Sequence, residues 1–342
     1  MGGTSLRLQS LALSRPPTLL TFGLVASGLL LLGCLFGSLL FGAVPIPART
    51  VWQAIVHFDG SIDHLIIRTV RLPRAILAVV VGAALAAAGA ITQGLTRNPL
   101  AAPDLLGINM GASLAMVLAI FLHGSDGNAV LFAFAGAAIA AITVYWLGSL
   151  GRSGLTPLKL VIAGAAVGYL LSSLTSGILI LSQRTLEEIR YWLAGSLAGQ
   201  DLETMLAVLP YIALGLVASL ALGRQLTLMS LGDDVAQGLG LQTGWVKVGA
   251  AIAVVLLAGS AVALVGPIGF VGLVVPHVVR FLVGADYRWI MPYTMIFGGI
   301  LLAVADLAAR LVIRPQELPT GIMTAVLGAP FFIHLARSRI RR

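Results

Sequence analysis

Ten long apolar runs, separated by short polar connections, constrain this chain more than any other feature. They cover residues 19–43, 72–95, 105–122, 129–148, 158–181, 191–221, 246–265, 268–284, 290–311 and 319–336. A helix needs about 20 apolar residues to cross a bilayer. The chain therefore reads as an all-α membrane protein with about ten transmembrane helices. Hydrophobic residues make up 58% of the sequence and charged residues 10%, too little charge to cover a soluble protein of 342 residues. Residues 1–342 are expected to form a single transmembrane domain without a separate soluble unit. The first run follows Arg7 and Arg15 but lacks a small-residue cleavage pattern, so it reads as a retained helix rather than a signal peptide.

Two runs are irregular. The sixth is too long for one span, which makes 191–204 partly irregular or interfacial. The eighth opens on Gly266-Pro267-Ile268-Gly269-Phe270, and broken backbone at membrane depth requires protein or a wet cavity around it. The segment 45–55 has the pattern of a short interfacial helix with Thr50 or a neighbour as its cap. Small residues at four-residue spacing, Gly82-Ala86-Ala90 and Gly164-Gly168, suit close helix packing in lipid.

Charge sets the expected orientation. With ten spans both termini share a side, which collects 13 basic residues: Arg7, Arg15, Arg97, Arg152, Lys159, Arg224, Lys247, Arg280, Arg288, Arg337, Arg339, Arg341 and Arg342. The other side has 8: Arg49, Arg68, Arg71, Arg74, Arg184, Arg190, Arg310 and Arg314. Cytoplasmic connections carry the excess of Lys and Arg, which places both termini in the cytoplasm. The net charge of +8 comes from membrane-flanking residues, with no basic helix suited to nucleic acid. The single cysteine, Cys34, excludes an intramolecular disulfide, and the five histidines lack metal-ligand spacing, so no metal site is expected.

Four polar or Gly/Pro-rich segments sit at span ends. Arg71-Leu72-Pro73-Arg74 starts the second span on the outer side, where Pro73 fits a first helical turn. Its charge breaks the inside bias; headgroup anchoring or an acidic partner outside both account for it. The turn Arg97-Asn98-Pro99-Leu100 through Gly107 cannot continue a helix. It is either a plain cytoplasmic turn or a constriction at the inner end of a pathway, with Asp104 placed to cap the third span. Residues 223–247 form the longest inner loop, and within it 231–241 has helical spacing. Asp233 and Asp234 suit its N-terminus, with one of them expected as its cap, and Gly238 or Gly240 suits its stop. This helix spans nothing, and either docks in a partner's groove or is a solvated connector. Finally, Asp306 and Arg310 are four apart and can pair along one helix face.

The chain has no phosphate-binding G-x-x-x-x-G-K-[ST] loop and no catalytic constellation, so it is not expected to be an enzyme.

Taken in order, Arg71-Leu72-Pro73-Arg74, Asn98-Pro99-Leu100-Ala101, Leu105-Leu106-Gly107, Leu231-Gly232, Gly269 through His277, Ala305-Asp306 and Glu317-Leu318-Pro319 closely resemble the FecCD family of permeases. That family serves ferric siderophores, ferric citrate, haem and vitamin B12 in type II ABC importers. Within it the chain looks most like a ferric-citrate or hydroxamate-siderophore permease. The resemblance implies a bacterial inner (plasma) membrane protein carrying no cofactor of its own. Its partners would be a second permease chain, identical or paralogous, two cytoplasmic ATPase subunits that hold ATP and Mg, a periplasmic or lipid-anchored binding protein, and membrane lipid. It implies binding-protein docking through Arg71, Arg74 and Arg310, and a cytoplasmic gate at Asn98, Leu100 and Thr156. ATPase coupling would run through Leu231, Gly232, Asp233, Asp234, Val235, Leu239, Gly240 and Leu241. Pro157 departs from the small polar residues that relatives often carry after the threonine. An ion-coupled secondary transporter is the alternative, because broken helices in opposed halves suit that class as well.

Overall fold

The computed structural model describes residues 16–42, 45–124, 129–151 and 156–340. Arg7, Arg15, Arg152, Arg341 and Arg342 of the orientation argument lie outside the described residues, as does the side chain of Pro157. Every regular element among the described residues is helical. The spanning or near-spanning helices are α1 (Pro17–Leu40), α3 (Leu72–Thr96), α4 (Ile108–His123), α5 (Ala129–Ser149), α6 (Pro157–Leu181), α8 (Leu202–Ala221), α11 (Thr243–Val254), α13 (Val271–Val283), α14 (Tyr287–Leu311) and α15 (Thr320–Ile340). Short helices fill the connections: α2 (Ala48–Val56), α7 (Gln183–Leu193), α9 (Gly223–Ser230), α10 (Asp233–Gly238) and α12 (Ser260–Val265), the last continuing α11 through a π-helical stretch, Val255–Gly259. Among the described residues, seven helices meet the length and hydropathy of a full span, and α4, α13 and the first part of α15 are shorter apolar helices. These occupy the ten apolar runs of the sequence.

The buried axis of the bundle is α3, enclosed by α14, α13, α8 and α11. Lipid gives helices no hydrophobic reason to associate, so close backbone approach supplies the packing. Gly82 and Ala86 meet Gly298 of α14, and Gly89 meets Gly272 of α13; a side chain at Gly82 or Gly89 would collide with backbone across the crossing. Gly164 of the fifth run lies against the Leu105 carbonyl in the same way. By contrast, Gly168 has only ordinary contact with Met110.

The expected breaks are present, and each has a partner for its backbone. The sixth run splits into α7 and α8, with Ala194–Asp201 irregular between them. That loop lies beside the break at Gly266–Phe270. Ser196 N donates to Val265 O at 2.8 Å, and Gly321 N donates to Gly195 O at 2.8 Å. Phe270 takes a left-handed conformation (φ 68°), unusual for a residue with a Cβ, and caps α13. Within α13, Pro276 has no N–H to offer the carbonyl four residues back, Gly272 O. The side-chain amide of Gln93, wholly buried on α3, donates to Gly272 O at 3.3 Å and to Leu273 O at 3.2 Å. Arg280 in turn donates to Gln93 Oε1.

Three capping expectations are corrected. The helix at 48–56 forms, but Pro47 occupies its N-cap position and Thr50 lies inside the helix. The third span is preceded by a 3₁₀ turn, Pro103–Leu106, so Gly107 takes the cap position and Asp104 sits one turn earlier. Gly232, not Asp233 or Asp234, occupies the N-cap of α10, in a φ of 118° that only glycine adopts readily.

Candidate functional site

At the outer end, α1 stops at Leu40 with no basic residue in its last turn, so its final carbonyls need donors. Arg71 Nη1 donates to Leu39 O at 2.7 Å and to Leu40 O at 3.2 Å. Arg310 Nη1 donates to Ser38 O at 3.2 Å, and its Nη2 to Ser38 Oγ at 2.6 Å. Arg74 turns the other way. Its Nη2 lies 2.9 Å from Asp306 Oδ1, and its Nη1 lies 2.6 Å from Glu317 Oε2. Asp306 is fully buried and also takes Arg310 Nε at 3.1 Å and Thr320 Oγ1 at 3.1 Å.

The pairing of Asp306 with Arg310 along one face is as the spacing predicts. The exposure of the arginines is not. Arg71 and Arg310 are 7% and 4% exposed, so these are interior side chains rather than rim charges. The acidic partners sought outside the chain include two within it, Asp306 and Glu317, 232 and 243 residues from Arg74. No local pattern could show that approach.

At the inner end, α3 finishes at Thr96, and Arg97 caps it in a left-handed conformation (φ 51°). Asn98 closes the following turn, its Oδ1 accepting from Leu100 N at 3.0 Å. Thr156 caps α6, its Oγ1 accepting from Lys159 N at 3.4 Å. Arg97 and Thr156 line one cavity together with Thr92, Thr96, Asp233 and Lys247. Asn98 and Leu100 do not line it, so the three expected gate residues flank a common region without sharing one wall.

The inner loop contains α9 and α10. Buried Leu226 and Met229 anchor α9, and Thr227 Oγ1 donates to Asp286 Oδ1 at 3.2 Å. Arg288, which hydrogen-bonds to the Asp286 carboxylate, is the main cause holding that group below the usual carboxylate range. The end of α10 is a Schellman motif: Leu241 N donates to Ala236 O at 3.0 Å and Gly240 N to Gln237 O at 2.8 Å, with Gly240 at φ 84°. Leu231, Val235 and Leu239 are 60%, 50% and 62% exposed. Leu241 instead packs back onto Met229, Ala236 and Val246. Sequence reasoning missed two residues here: Lys247, which pairs with Asp233, and Gln93. A lone amide in an apolar span, opposite a helix that carries an internal proline, is the signal that could have revealed Gln93.

A bundle of long apolar helices with satisfied breaks, a charged cluster at one end and an exposed apolar loop helix at the other is the architecture of a multi-pass membrane protein. The FecCD transport family model matches residues 29–338, and the chain belongs to that family. It is 48% identical over 310 residues to the "Probable siderophore transport system permease protein YfiZ" of Bacillus subtilis (strain 168), covering 90% of this chain and 93% of that one. It is 42% identical over 306 residues to the ferric enterobactin transport system permease protein FepD of Escherichia coli (strain K12), covering 89% and 91%. The solved structure described as "An inward-facing conformation of a putative metal-chelate type ABC transporter" superposes with a TM-score of 0.80 at 31% identity, covering 92% of this chain and 98% of that one.

The outer cluster generates a prediction. Asp306→Asn keeps the volume but leaves Arg74 and Arg310 facing each other without the buried carboxylate. Breaking a buried pair costs about 3–5 kcal/mol. Thermal unfolding of the purified protein in detergent should show a large loss of stability for Asp306→Asn. Glu317→Gln should show a much smaller one, because Glu317 is partly exposed.

Proposed function

We propose that this chain is the permease subunit of an ABC importer that carries an iron–siderophore type chelate inward. ATP would be hydrolysed on separate ATPase subunits, and a binding protein would deliver the chelate from outside. The reading rests on membership of the FecCD family and on the names of its relatives, which transport ferric enterobactin, ferric hydroxamate and ferric citrate. The observation that carries it is α10. This six-residue helix and its flanks turn Val235, Leu231 before it and Leu239 after it outward, which favours a protein partner over solvent. Ion coupling has little support here. It needs an available carboxylate within the membrane, and the buried Asp306 is already held by two guanidiniums at the outer end of its helix.

The orientation follows from the basic bias, with both termini and the 223–247 loop cytoplasmic. In a Cys34→Ala background, a cysteine at the exposed Gly238 should label only after the membrane is opened. Labelling of intact cells by an impermeant maleimide would reverse the topology.

Docking of the binding protein is assigned to the outer cluster of Arg71, Arg74 and Arg310. Within it Arg74 bridges the buried Asp306 and the partly exposed Glu317, so it is the cation that a carboxylate from outside the chain can reach. The route is exchange: a carboxylate of the binding protein takes the place of Glu317 on Arg74. A rim ion pair contributes roughly 0.2–1 kcal/mol. Arg74→Lys, which keeps a cation against the buried Asp306 but loses the fork that also reaches Glu317, should therefore weaken docking by up to about fivefold, and Glu317→Gln should strengthen it by a similar factor. Affinities measured in nanodiscs that stay unchanged for both variants would move docking elsewhere.

Coupling to the ATPase is assigned to α10, with Val235 and Leu239 as anchors and Leu241 supporting them from beneath. Burying one leucine contributes about 1.5–3 kcal/mol. Leu239→Asp should detach or uncouple the ATPase and abolish chelate uptake in proteoliposomes while the binding protein still docks. Wild-type uptake and ATPase stimulation in that variant would exclude α10 as the contact.

A further inference from the structure

The inner loop is joined to the body of the bundle by a carboxylate that reaches two helices at once. Asp233, the first residue of α10, takes Lys247 Nζ of α11 on Oδ2 at 2.6 Å and Arg97 Nη2 on Oδ1 at 3.6 Å. The lysine arm is tight. The arginine arm is longer than a hydrogen bond, and a shift of about half an ångström would close it. Arg97 approaches the loop at Gly232 as well: a Cβ placed there would lie 3.6 Å from Nη1. Its left-handed φ of 51° means that its backbone is held by its surroundings rather than by preference. Asn98 follows directly, and its side chain shapes the turn to Leu100. All three charged side chains are partly shielded, at 42%, 31% and 19% exposure for Arg97, Asp233 and Lys247. Solvent therefore screens them less than free surface ions.

We propose that Asp233 is the positioning residue that passes displacement of α10 to the Arg97–Leu100 turn, with Lys247 as the fixed arm and Arg97 as the moving one. The inference rests on the proposed coupling role of α10 and adds the internal route. The apolar residues Val235 and Leu239 face the partner, while Asp233 reaches inward to α3 and α11. A rigid six-residue helix thus joins an external contact to the end of the most buried span. A competing route leaves the same loop through Thr227 and Asp286 toward α14.

The test uses the assembled importer in proteoliposomes, with chelate uptake and ATP hydrolysis read together. Arg97→Gln should retain the ATPase subunits and continue to hydrolyse ATP, and uptake by Asp233→Asn is normalised to the ATP it hydrolyses. Chelate taken up per ATP should fall by about tenfold in each. Asp233→Glu should restore most of that ratio, which a purely structural role would not require. Arg97→Gln leaves the Asp233–Lys247 pair in place, so its effect does not depend on loss of local folding. Thr227→Val should leave the ratio unchanged. A change of less than about twofold in both Asp233→Asn and Arg97→Gln overturns the proposal. So does a loss seen only in Thr227→Val. Failure of the underlying reading looks different, since Leu239→Asp would then keep its ATPase subunits and its uptake.

Discussion

In hydrocarbon an unpaired N–H or C=O costs several kcal/mol, and that cost decides where this chain can bend. Three of the places where a spanning helix breaks or ends are matched by a donor from elsewhere in the fold. The Val265 carbonyl, freed by the Gly266–Phe270 break, accepts from Ser196. Gly272 O, orphaned by Pro276, accepts from Gln93. The final carbonyls of α1 accept from Arg71 and Arg310. Remove the donors and the breaks would be untenable; with them, a spanning helix can start, stop or widen into a π turn at membrane depth.

The two ends of the bundle use the same chemical arrangement under different dielectric conditions. At one end the wholly buried Asp306 joins Arg74 and Arg310, which ties α3 to α14 and, through Arg310, to α1. At the other, Asp233 joins Lys247 and Arg97 within partial reach of water, and one of its two arms is longer than a hydrogen bond. Desolvated pairs are costly to break, whereas half-solvated ones exchange partners readily. The Asp306 pairing is therefore the one built to hold, and the proposed coupling assigns movement to the Asp233 pairing.

Between them the helices around α3 are tightly packed. Glycines on α3 bring α13 and α14 into backbone contact. Such a core transmits displacement instead of absorbing it, because close-packed interiors have low compressibility. A permease of the FecCD family that is driven from one end would use this stiffness, the motion entering at the loop and leaving through the helices that meet α3.

The spans, their breaks and the inner loop helix were legible in the sequence, because each depends on local composition. Twenty apolar residues, a Gly/Pro cluster or a helical period can be read within a single window. Asp306 with Arg310 was legible for the same reason, at four residues' separation. The tertiary structure alone decided that Arg71 and Arg310 close the end of α1, that Arg74 meets Asp306 and Glu317 across more than 230 residues, and that Gln93 completes a helix interrupted by Pro276. It also decided that Gly232 caps α10 and that Leu241 packs beneath it while Val235 and Leu239 remain outside. A charged or amide side chain announces only that it needs a partner. Which partner it finds depends on which helix ends the fold brings within 3 Å, and no local pattern in the sequence contains that distance.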